Sequence, residues 1–324
     1  MLKVGVLGAG HFGKIHLKLL KQSPEFQLIG FHDSDIESAN KVTEEFGYHF
    51  YSEMKSLIEA VDVIIIATPT HSHFDCAQMA IKKGKHVFIE KPISNTLEEA
   101  SKIIALAKKY KVKGQIGHVE RFNPAFLASK DIINNPMFIE TNRLAEFNPR
   151  GTDVPVVLDL MIHDLDIILS VVNSKVKHVS ASGVSVISET PDIANARIEF
   201  ENGCVANLTA SRISMKNMRK SRFFQKDAYI SIDFLMKNVE TVRIKDISNP
   251  IDEYAMVLNN AEGVMKQICF ENIEINTDNA ILNELESFAQ SINHNSTPIV
   301  SLQQGTNALK LAYQIIKSIK TNNL

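Results

Sequence analysis

The feature that most constrains the fold is a glycine-rich turn, Gly8–Gly13 (GAGHFG). It follows an apolar strand pattern over residues 2–7 and opens a helical pattern through residue 22. In that context the first glycine permits a tight turn, the second lets a pyrophosphate approach a helix N-terminus, and the third allows close helix–strand packing. Because context and spacing agree, we predict a dinucleotide-binding βαβ unit rather than a turn that merely needs glycines. The expected cofactor contacts here are Gly8, Gly10, His11, Phe12 and Gly13.

Short apolar strand patterns alternate with helical patterns over residues 1–117. Such alternation predicts an α/β domain of the Rossmann type, a doubly wound parallel sheet with helices on both faces. The run at 61–67 is apolar almost throughout, as a central parallel strand should be. We predict strands at 2–7, 26–32, 48–51, 61–67, 85–89 and 112–117, and helices at 11–22, 35–46, 53–59, 72–83 and 96–110.

A carboxylate ends the second predicted strand. Asp33 stands 20 residues after Gly13, about the distance at which such units bind the ribose hydroxyls of adenosine. Its charge repels a 2′-phosphate, and no arginine follows within several residues. The sequence therefore predicts NAD as the cofactor in preference to NADP.

The end of the fourth strand is another candidate region, because open α/β sheets bind ligands outside the carboxyl ends of their strands. Residues 67–73 (ATPTHSH) follow that strand. His71 and His73 have a spacing that also suits a metal, but a helix start capped by Thr70 or Ser72 is the simpler interpretation. We expect no metal, and cofactor contacts from Thr68, Pro69 and His73.

The fifth strand ends in Glu90-Lys91-Pro92. Pro92 restricts Lys91 to an extended backbone, and from this strand end the amine is expected to point into the crevice of the nicotinamide. A lysine there can lower the pKa of a hydroxyl or hydrogen-bond a carbonyl oxygen. A solvated surface lysine is the alternative. We predict cofactor contacts from Glu90 and Lys91, with Lys91 also catalytic and in contact with substrate.

An unusually apolar helix is predicted over residues 156–172, with Asp159, His163 and Asp166 stacked along one side. Polar residues on a buried helix need partners. An aspartate one turn before a histidine can orient the imidazole and stabilise its protonated form. From spacing alone, a catalytic pair and a structural pair at a domain interface both remain open.

After residue 118 the pattern becomes rich in strands, which predicts an α+β domain with an open, mostly antiparallel sheet. We place the NAD-binding domain at residues 1–119 and a substrate-binding and oligomerisation domain at 120–300. The predicted elements are helices at 124–134, 156–172, 279–293 and 303–320, and strands at 137–146, 176–187, 193–200, 204–211, 222–235, 239–246, 254–258 and 267–275.

Arginine is unevenly distributed, since all eight arginines lie between Arg121 and Arg243. Arginine binds phosphate and carboxylate in bidentate geometry. The bias thus indicates an anionic substrate, with chance composition as the alternative. The net charge of −2 provides no electrostatic footprint for nucleic acid. No apolar run approaches the ~20 residues of a membrane span.

With these motifs in register, the whole chain resembles the Gfo/Idh/MocA oxidoreductases. The segment Gly117–Pro124 (GHVERFNP) matches the point where that family enters its second domain. The resemblance implies an NAD(P)-dependent dehydrogenase acting on CH–OH groups, with Lys91, Asp159 and His163 as its catalytic group. It also implies a homodimer or homotetramer formed through the second-domain sheet, and a helix at 303–320 that packs back on the first domain.

Four segments are similar to the branch of this family that oxidises UDP-N-acetylglucosamine at its 3-hydroxyl, namely residues 117–124, 148–154, 159–164 and 211–214. The diphosphate of a UDP-sugar agrees with the arginine bias. The loop at 212–222, which includes Lys216, Arg219 and Lys220, is expected to fold over the ligand, to reach a neighbouring subunit or to be plain surface. Substrate contacts are expected from Lys91, Glu120, Arg121, Asn123, Arg150, Asp159, His163 and Arg212.

Three other functions stay open: a free-sugar or cyclitol dehydrogenase, an NAD-dependent glycosidase on the same fold, and a non-catalytic NAD-binding regulator. Because the strand pattern begins at Leu2, we expect no export signal. We therefore expect a cytoplasmic protein, which disfavours the glycosidases, because they are often exported. The joint presence of Lys91, Asp159 and His163 disfavours the regulator. The expected partners are a sugar or UDP-sugar and further copies of the chain, with neither nucleic acid nor membrane.

Overall fold

The computed structural model describes residues 1–149, 154–247, 256–259, 261, 263 and 265–322. Its contacts divide the chain into two compact units. Unit 1 comprises Met1–Phe122 and Asn279–Lys310, and unit 2 comprises Asn123–Asp278 and Leu311–Leu324. No helix within the described residues is long and apolar enough to cross a membrane.

Unit 1 is built on a parallel sheet of β1 (Leu2–Leu7), β2 (Phe26–His32), β3 (Val63–Ile66), β4 (His86–Glu90) and β5 (Gly114–Gly117). The strand order is β2-β1-β3-β4-β5. The direction of winding reverses between β1 and β3, which opens a crevice at their carboxyl ends. The helices are α1 (His11–Gln22), α2 (Ile36–Phe46), α3 (Met54–Ala60), α4 (His73–Lys82), α5 (Leu97–Tyr110) and, from later in the chain, α8 (Ala280–Asn293) and the start of α9 (Leu302–Asn322).

Helices cover both faces of this sheet, which confirms the doubly wound prediction. On one face, Leu17 of α1 and Phe288 of α8 pack with Val6 and Phe88 in a single buried cluster. On the other face, β1 approaches α3 so closely that a Cβ added at Gly5 would lie 2.8 Å from the Leu57 side chain. Burial of apolar side chains on both faces explains why the strands read as nearly continuous apolar runs.

Unit 2 contains β6 (Phe138–Leu144), β7 (Val176–Val184), β8 (Ile193–Phe200), β9 (Val205–Ser211), β10 (Met218–Phe224), β11 (Ala228–Asp233), β12 (Asn238–Asp246), β13 (Met256–Asn259) and β14 (Met265–Asn272). They form one sheet in the order β13-β14-β12-β11-β10-β6-β9-β8-β7. All neighbouring pairs are antiparallel except β6–β9, so the mostly antiparallel sheet is confirmed. The helices are α6 (Pro124–Ser129), α7 (Ile162–Val171) and the end of α9.

One face of the nine-stranded sheet carries the core of unit 2. Ala196 and Ile198 of β8 are fully buried, and they pack in one cluster with Met161, Leu165 and Ile168 from the α7 region. Buried and more exposed residues alternate along β8, as expected of a strand with one face in the core. This packing holds α7 against the sheet.

Two strand predictions were wrong. Residues 48–51 do not form a strand. They make only an isolated bridge, Phe31 to Phe50, at the edge of β2, because the segment runs beside that edge for too short a distance to form a ladder. The run at 222–235 is two strands, since a turn after Phe224 separates β10 from β11. β10 also begins inside the predicted loop 212–222, and Arg219 and Lys220 therefore pair with β6. Those two residues therefore belong to the sheet and not to a loop that folds over the ligand.

Two helix predictions needed correction. The helix expected at 124–134 ends at Ser129. The helix expected at 156–172 begins as a π-helical turn, Val157–Met161, before α7. Helix α8 belongs to unit 1, whereas the sequence analysis placed residues 120–300 in the second domain. The reason is that Leu285 and Phe288 of α8 pack in the core of unit 1.

Candidate active site

The glycine-rich turn has the geometry that its spacing predicts. Gly8 has a φ of +90°, and a Cβ there would lie 2.7 Å from the Ala67 carbonyl oxygen. A Cβ at Gly13 would lie 1.9 Å from the Gly8 carbonyl oxygen, so α1 packs directly on the turn. Gly10 precedes α1, where no side chain caps the helix, and a Cβ added to it meets nothing within 4 Å. The uncapped helix N-terminus beside open space suits a pyrophosphate.

Asp33 is held beside that turn. Its Oδ2 accepts a hydrogen bond from the Ala9 backbone N–H at 2.6 Å, and its Oδ1 accepts from the Asp35 N–H at 2.9 Å. The carboxylate is therefore oriented by the protein backbone, and it stays half-buried at the end of β2. This position agrees with the predicted role at the adenosine ribose.

The loop after β3 differs from the predicted capping arrangement. A 3₁₀ turn at Thr70–Ser72 follows Pro69, and α4 begins at His73 without a cap hydrogen bond from the Ser72 side chain. The imidazole of His73 is buried, with Nε2 2.9 Å from the Thr68 carbonyl oxygen and Nδ1 2.8 Å from that of Pro92. The His73 ring thus lies between the ends of β3 and β4. In the described part of the chain, His, Cys, Asp and Glu side chains do not gather in groups of three or more that could hold a metal.

Buried histidines make the stability of unit 1 depend on pH. Burial lowers the pKa of both His73 and His86, and the nearby Lys113 also lowers that of His86. The unfolded chain takes up these protons near pH 6.5, while the folded chain resists them. Between the two pKa values the unfolded state binds more protons, so stability falls as pH drops below about 6.5.

We expect thermal unfolding of the wild type to shift to lower temperature between pH 7.5 and pH 5.5. The double variant His73→Asn/His86→Gln is expected to show a smaller shift, because neither new side chain titrates there. The measurement is differential scanning calorimetry at constant ionic strength. Equal shifts in the two proteins would contradict the assignment to these histidines.

The Glu90-Lys91-Pro92 segment is tied to α1. The Glu90 carboxylate, at the end of β4, lies with Oε1 2.7 Å from Nε2 of the buried His16, and its Oε2 accepts from the Lys91 backbone N–H at 3.3 Å. Burial raises the pKa of Glu90, but the hydrogen bond and charge of His16 and the charge of Lys91 outweigh it and lower the pKa. The carboxylate is therefore ionised at neutral pH. The Lys91–Pro92 peptide bond is cis.

The segment after β5 is mostly buried. Glu120 is 5% exposed, and Arg121 directs Nη2 to the Ile299 carbonyl oxygen at 3.4 Å. Asn123 caps α6 by accepting from the Ala125 N–H, while its Nδ2 donates to the Phe234 carbonyl oxygen. Both ends of the Asn123 amide are therefore used in folding, which accounts for its position without a substrate.

In unit 2, the candidate catalytic pair lies where the π-helical turn meets α7. Asp159 belongs to the turn and His163 to the first turn of α7, and both are half-buried. π-Helical turns within helices are frequent at functional sites. The pair is thus on a rigid, packed element with part of each side chain accessible.

Sequence reasoning missed the residue that anchors this helix. Arg143 of β6 and Asp164 of α7 form a bidentate ion pair, Nε to Oδ2 at 3.0 Å and Nη2 to Oδ1 at 2.9 Å. Both side chains are 4% exposed. Because Asp164 follows His163 directly, the pair fixes the rotation of α7 on the sheet. The buried positions along β6 are Ile139, Thr141 and Arg143, and two of these three are polar, so the sequence pattern did not mark Arg143 as buried.

Arg212 is used inside unit 2. Its side chain is 4% exposed, with Nε 3.5 Å from Oδ1 of the fully buried Asp192, and Nη2 donates to the carbonyl oxygens of Val154 and Pro191. Burial raises the pKa of Asp192, but backbone N–H groups from Ser188, Ile187 and Val186 outweigh it and hold the pKa well below its usual range. We therefore assign Arg212 a structural role, contrary to the expected diphosphate contact.

The arginine bias has a structural explanation for most of the set. Five of the eight arginines pair with carboxylates of unit 2, so the bias is weak support for an anionic substrate. Arg121 remains a candidate, while the predicted contact Arg150 lies outside the described residues. The five pairs are Arg143–Asp164, Arg197–Glu199, Arg212–Asp192, Arg222–Glu140 and Arg243–Glu271.

Comparisons with known proteins agree with the fold and with the glycine-rich turn. A family model described as an oxidoreductase family with an NAD-binding Rossmann fold matches residues 2–118, and one described as the GFO/IDH/MocA C-terminal domain matches residues 104–226. The fold, the turn and the family model together define an oxidoreductase with an NAD-binding Rossmann domain. The chain belongs to the Gfo/Idh/MocA family, and it is a dehydrogenase that acts on CH–OH groups.

Two relatives show how far the similarity extends. UDP-N-acetylglucosamine 3-dehydrogenase from Acidithiobacillus ferrooxidans is 37% identical over 235 residues, covering 72% of this chain and 74% of the relative. Its crystal structure matches 99% of this chain and 98% of its own with a TM-score of 0.88 and 30% identity. The scyllo-inositol 2-dehydrogenase (NAD(+)) of Bacillus subtilis is 29% identical over 232 residues, covering 66% of this chain and 68% of the relative.

Proposed function

We propose that this enzyme oxidises a UDP-sugar with NAD, and that the substrate is UDP-N-acetylglucosamine, oxidised at its 3-hydroxyl. The observation that supports this most is the similarity to UDP-N-acetylglucosamine 3-dehydrogenase, which extends over 99% of the chain in structure. The presence of Lys91, Asp159 and His163 agrees with a catalytic rather than a regulatory protein.

The residues of unit 1 fit a dinucleotide. The open space at Gly10 and the uncapped start of α1 suit a pyrophosphate, and the oriented carboxylate of Asp33 suits ribose hydroxyls. The bound nicotinamide ring supplies the hydride acceptor. The residues proposed to hold NAD are Gly8, Gly10, His11, Phe12, Gly13, Asp33, Thr68, Pro69, Glu90 and Lys91, whereas the predicted contact His73 is buried against the carbonyl oxygens of Thr68 and Pro92.

In this proposal the side chains of the protein have two tasks, to accept the proton of the substrate hydroxyl and to stabilise the charge on its oxygen. His163 accepts the proton of the sugar hydroxyl, and Asp159 orients the imidazole and stabilises its charged form. In unit 1, the ammonium of Lys91 hydrogen-bonds a substrate oxygen and stabilises the negative charge that develops on it. Glu120, Arg121 and Arg150 remain candidates for the rest of the substrate.

A cyclitol is the second candidate substrate, because inositol dehydrogenases are also among the relatives. A cyclitol has no diphosphate, and the burial of Arg212 removes one of the expected diphosphate contacts. The two candidates differ in whether the nucleotide part contributes to binding.

The test compares NADH formation with UDP-N-acetylglucosamine, free N-acetylglucosamine and myo-inositol. We expect turnover with the nucleotide sugar and none measurable with the other two, since charge-assisted bonds to a diphosphate contribute much of the affinity. Equal or faster reaction of the free sugar or of inositol would exclude the UDP-sugar assignment. Turnover without net NADH formation would favour a glycosidase.

Cofactor preference follows from Asp33. We expect the wild type to bind NAD more tightly than NADP, because the 2′-phosphate meets a carboxylate with no arginine beside it in sequence. Asp33→Ala is expected to narrow the difference in affinity between NAD and NADP. Asp35→Ala, which removes a neighbouring carboxylate that caps α2, serves as the matched control. Isothermal titration calorimetry with NAD and with NADP measures the two dissociation constants in each protein. Tighter binding of NADP by the wild type would overturn the proposal.

We also propose a homodimer or homotetramer formed through the nine-stranded sheet. The face opposite the core carries apolar side chains with substantial exposure, including Phe224 of β10 at 37% and Phe270 of β14 at 68%. Exposed apolar surface of this kind is typical of interfaces. Light scattering of the wild type and of Phe270→Glu is the measurement, and a monomeric wild type would contradict the proposal.

A further inference from the structure

Two buried histidines hold the residues on either side of Lys91. His16, from α1, binds the carboxylate of Glu90, and His73, from α4, reaches the carbonyl oxygen of Pro92. Each of these histidines is 1% exposed. The segment that carries Lys91 is thereby attached to two different helices of unit 1.

The contact between His16 and Glu90 has a defined direction. An ionised carboxylate only accepts hydrogen bonds, so Nε2 of His16 is the donor. The other carboxylate oxygen accepts from the Lys91 backbone N–H, and a Cβ added at Gly117 would lie 2.9 Å from that oxygen. His16, the Lys91 backbone and the bare Cα of Gly117 therefore surround the carboxylate and fix its orientation.

The contact between His73 and Pro92 depends on the tautomer. Because burial lowers the pKa of His73, the imidazole is neutral and carries one N–H. With the proton on Nδ1 the ring donates to Pro92, and with the proton on Nε2 it donates to Thr68. Only the first tautomer restrains the segment that carries Lys91.

Burying two imidazoles in this way is unfavourable unless their hydrogen bonds repay the loss of water. An apolar residue at either position would pack without that requirement. Both imidazoles lie within hydrogen-bond distance of a neighbour of Lys91, and α1, which carries His16, begins at the glycine-rich turn. The arrangement thus links the position of Lys91 to the helix that is proposed to bind pyrophosphate.

We propose that His16 and His73 are positioning residues for Lys91. They hold the backbone of Glu90–Pro92 in one conformation. The position of the Lys91 amine relative to the glycine-rich turn is thereby fixed. The inference rests on the catalytic role of Lys91 in the proposed function. Misplacement of a reacting group by about 1 Å can lower the rate about 10²-fold.

Isosteric variants separate the contacts. His16→Gln keeps a donor near the position of Nε2, whereas His16→Leu removes it. His73→Asn keeps a donor near Nδ1 and so toward Pro92, whereas His73→Gln keeps one near Nε2 and so toward Thr68. His86→Leu is the matched control, since His86 is a partly buried histidine of β4 that accepts from the Lys113 N–H.

The first readout needs no substrate. Hydrogen exchange of the peptide covering residues 88–94 is measured by mass spectrometry in each variant. We expect exchange there to accelerate about tenfold or more in His16→Leu and His73→Gln, because a restraint on the local backbone is lost. His16→Gln, His73→Asn and the His86→Leu control are expected to exchange like the wild type in this peptide.

The second readout is turnover of UDP-N-acetylglucosamine with NAD. We expect kcat to fall about tenfold or more in His16→Leu and His73→Gln with KM largely unchanged, and to be restored in His16→Gln and His73→Asn. A general loss of stability would not produce this split or this rescue. Wild-type exchange in His16→Leu, or failure of His16→Gln to restore it, would overturn the inference.

The outcome is distinguishable from failure of the proposed function. If Lys91→Ala keeps normal turnover, the catalytic role of Lys91 is wrong, and with it the functional part of this inference. If Lys91→Ala loses turnover while His16→Leu and His73→Gln keep it, the positioning inference alone fails. If UDP-N-acetylglucosamine does not react at all, hydrogen exchange still decides whether the two histidines restrain Lys91.

Discussion

Lys91→Ala and His163→Ala are each expected to lower kcat about 10²-fold or more, because each removes a group that handles the proton or the charge of the reacting hydroxyl. NAD binding is expected to stay largely intact in His163→Ala, since the proposed cofactor contacts all lie in unit 1. Asp159→Asn is expected to have a smaller effect if Asp159 only orients the imidazole. Initial rates with UDP-N-acetylglucosamine and titration of NAD measure these effects.

The matched controls are Lys82→Ala and His178→Ala, which remove the same chemical groups from exposed positions of the two units. Both are expected to react like the wild type. If either Lys91→Ala or His163→Ala keeps near-normal turnover, that residue is structural and the assignment of its role is wrong.

Arg143→Met is expected to destabilise unit 2 by about 3–5 kcal/mol, because it leaves the carboxylate of Asp164 buried without its bidentate partner. The double variant Arg143→Met/Asp164→Leu is expected to recover much of that loss, since no buried charge is left uncompensated. Urea unfolding followed by circular dichroism measures the free energy.

The matched control is Arg197→Met, which breaks an ion pair with side chains 47% and 40% exposed. Exposed pairs contribute roughly 0–1 kcal/mol, so only a small change is expected. A loss of the same small size in Arg143→Met would show that the buried pair does not anchor α7, and His163 would then need another explanation for its position.

Local features of unit 1 were predictable because they depend on neighbouring residues. The glycine-rich turn, the strand before it and the helix after it all follow from steric freedom and apolar periodicity within a short stretch. The bounds of β1, α1 and β2 agree with the prediction residue for residue. Residues 48–51 failed for the converse reason, since whether an extended segment becomes a strand depends on how long it stays beside a partner edge.

The candidate site was predictable in part. Glu90 and Lys91 became candidates because they end an apolar strand, and Asp159 and His163 became candidates because they interrupt an apolar helix. His16 and His73 have no comparable local signal for their partners, which are 74 and 19 residues away in sequence. The π-helical turn was missed because one turn of altered winding leaves the apolar pattern of 156–172 almost unchanged.

The sequence by itself determined the Rossmann-type sheet, the glycine-rich turn with its acidic residue at position 33, and the family to which the chain belongs. Only the tertiary structure decided what the buried charges do. Nothing in the local sequence marks Arg143 and Arg212 as buried residues. In the structure both are enclosed in the core of unit 2 with carboxylate partners. Burial makes such pairing compulsory, because an uncompensated charge in an apolar interior is strongly unfavourable, and burial is set by the packing of segments that are distant in the chain.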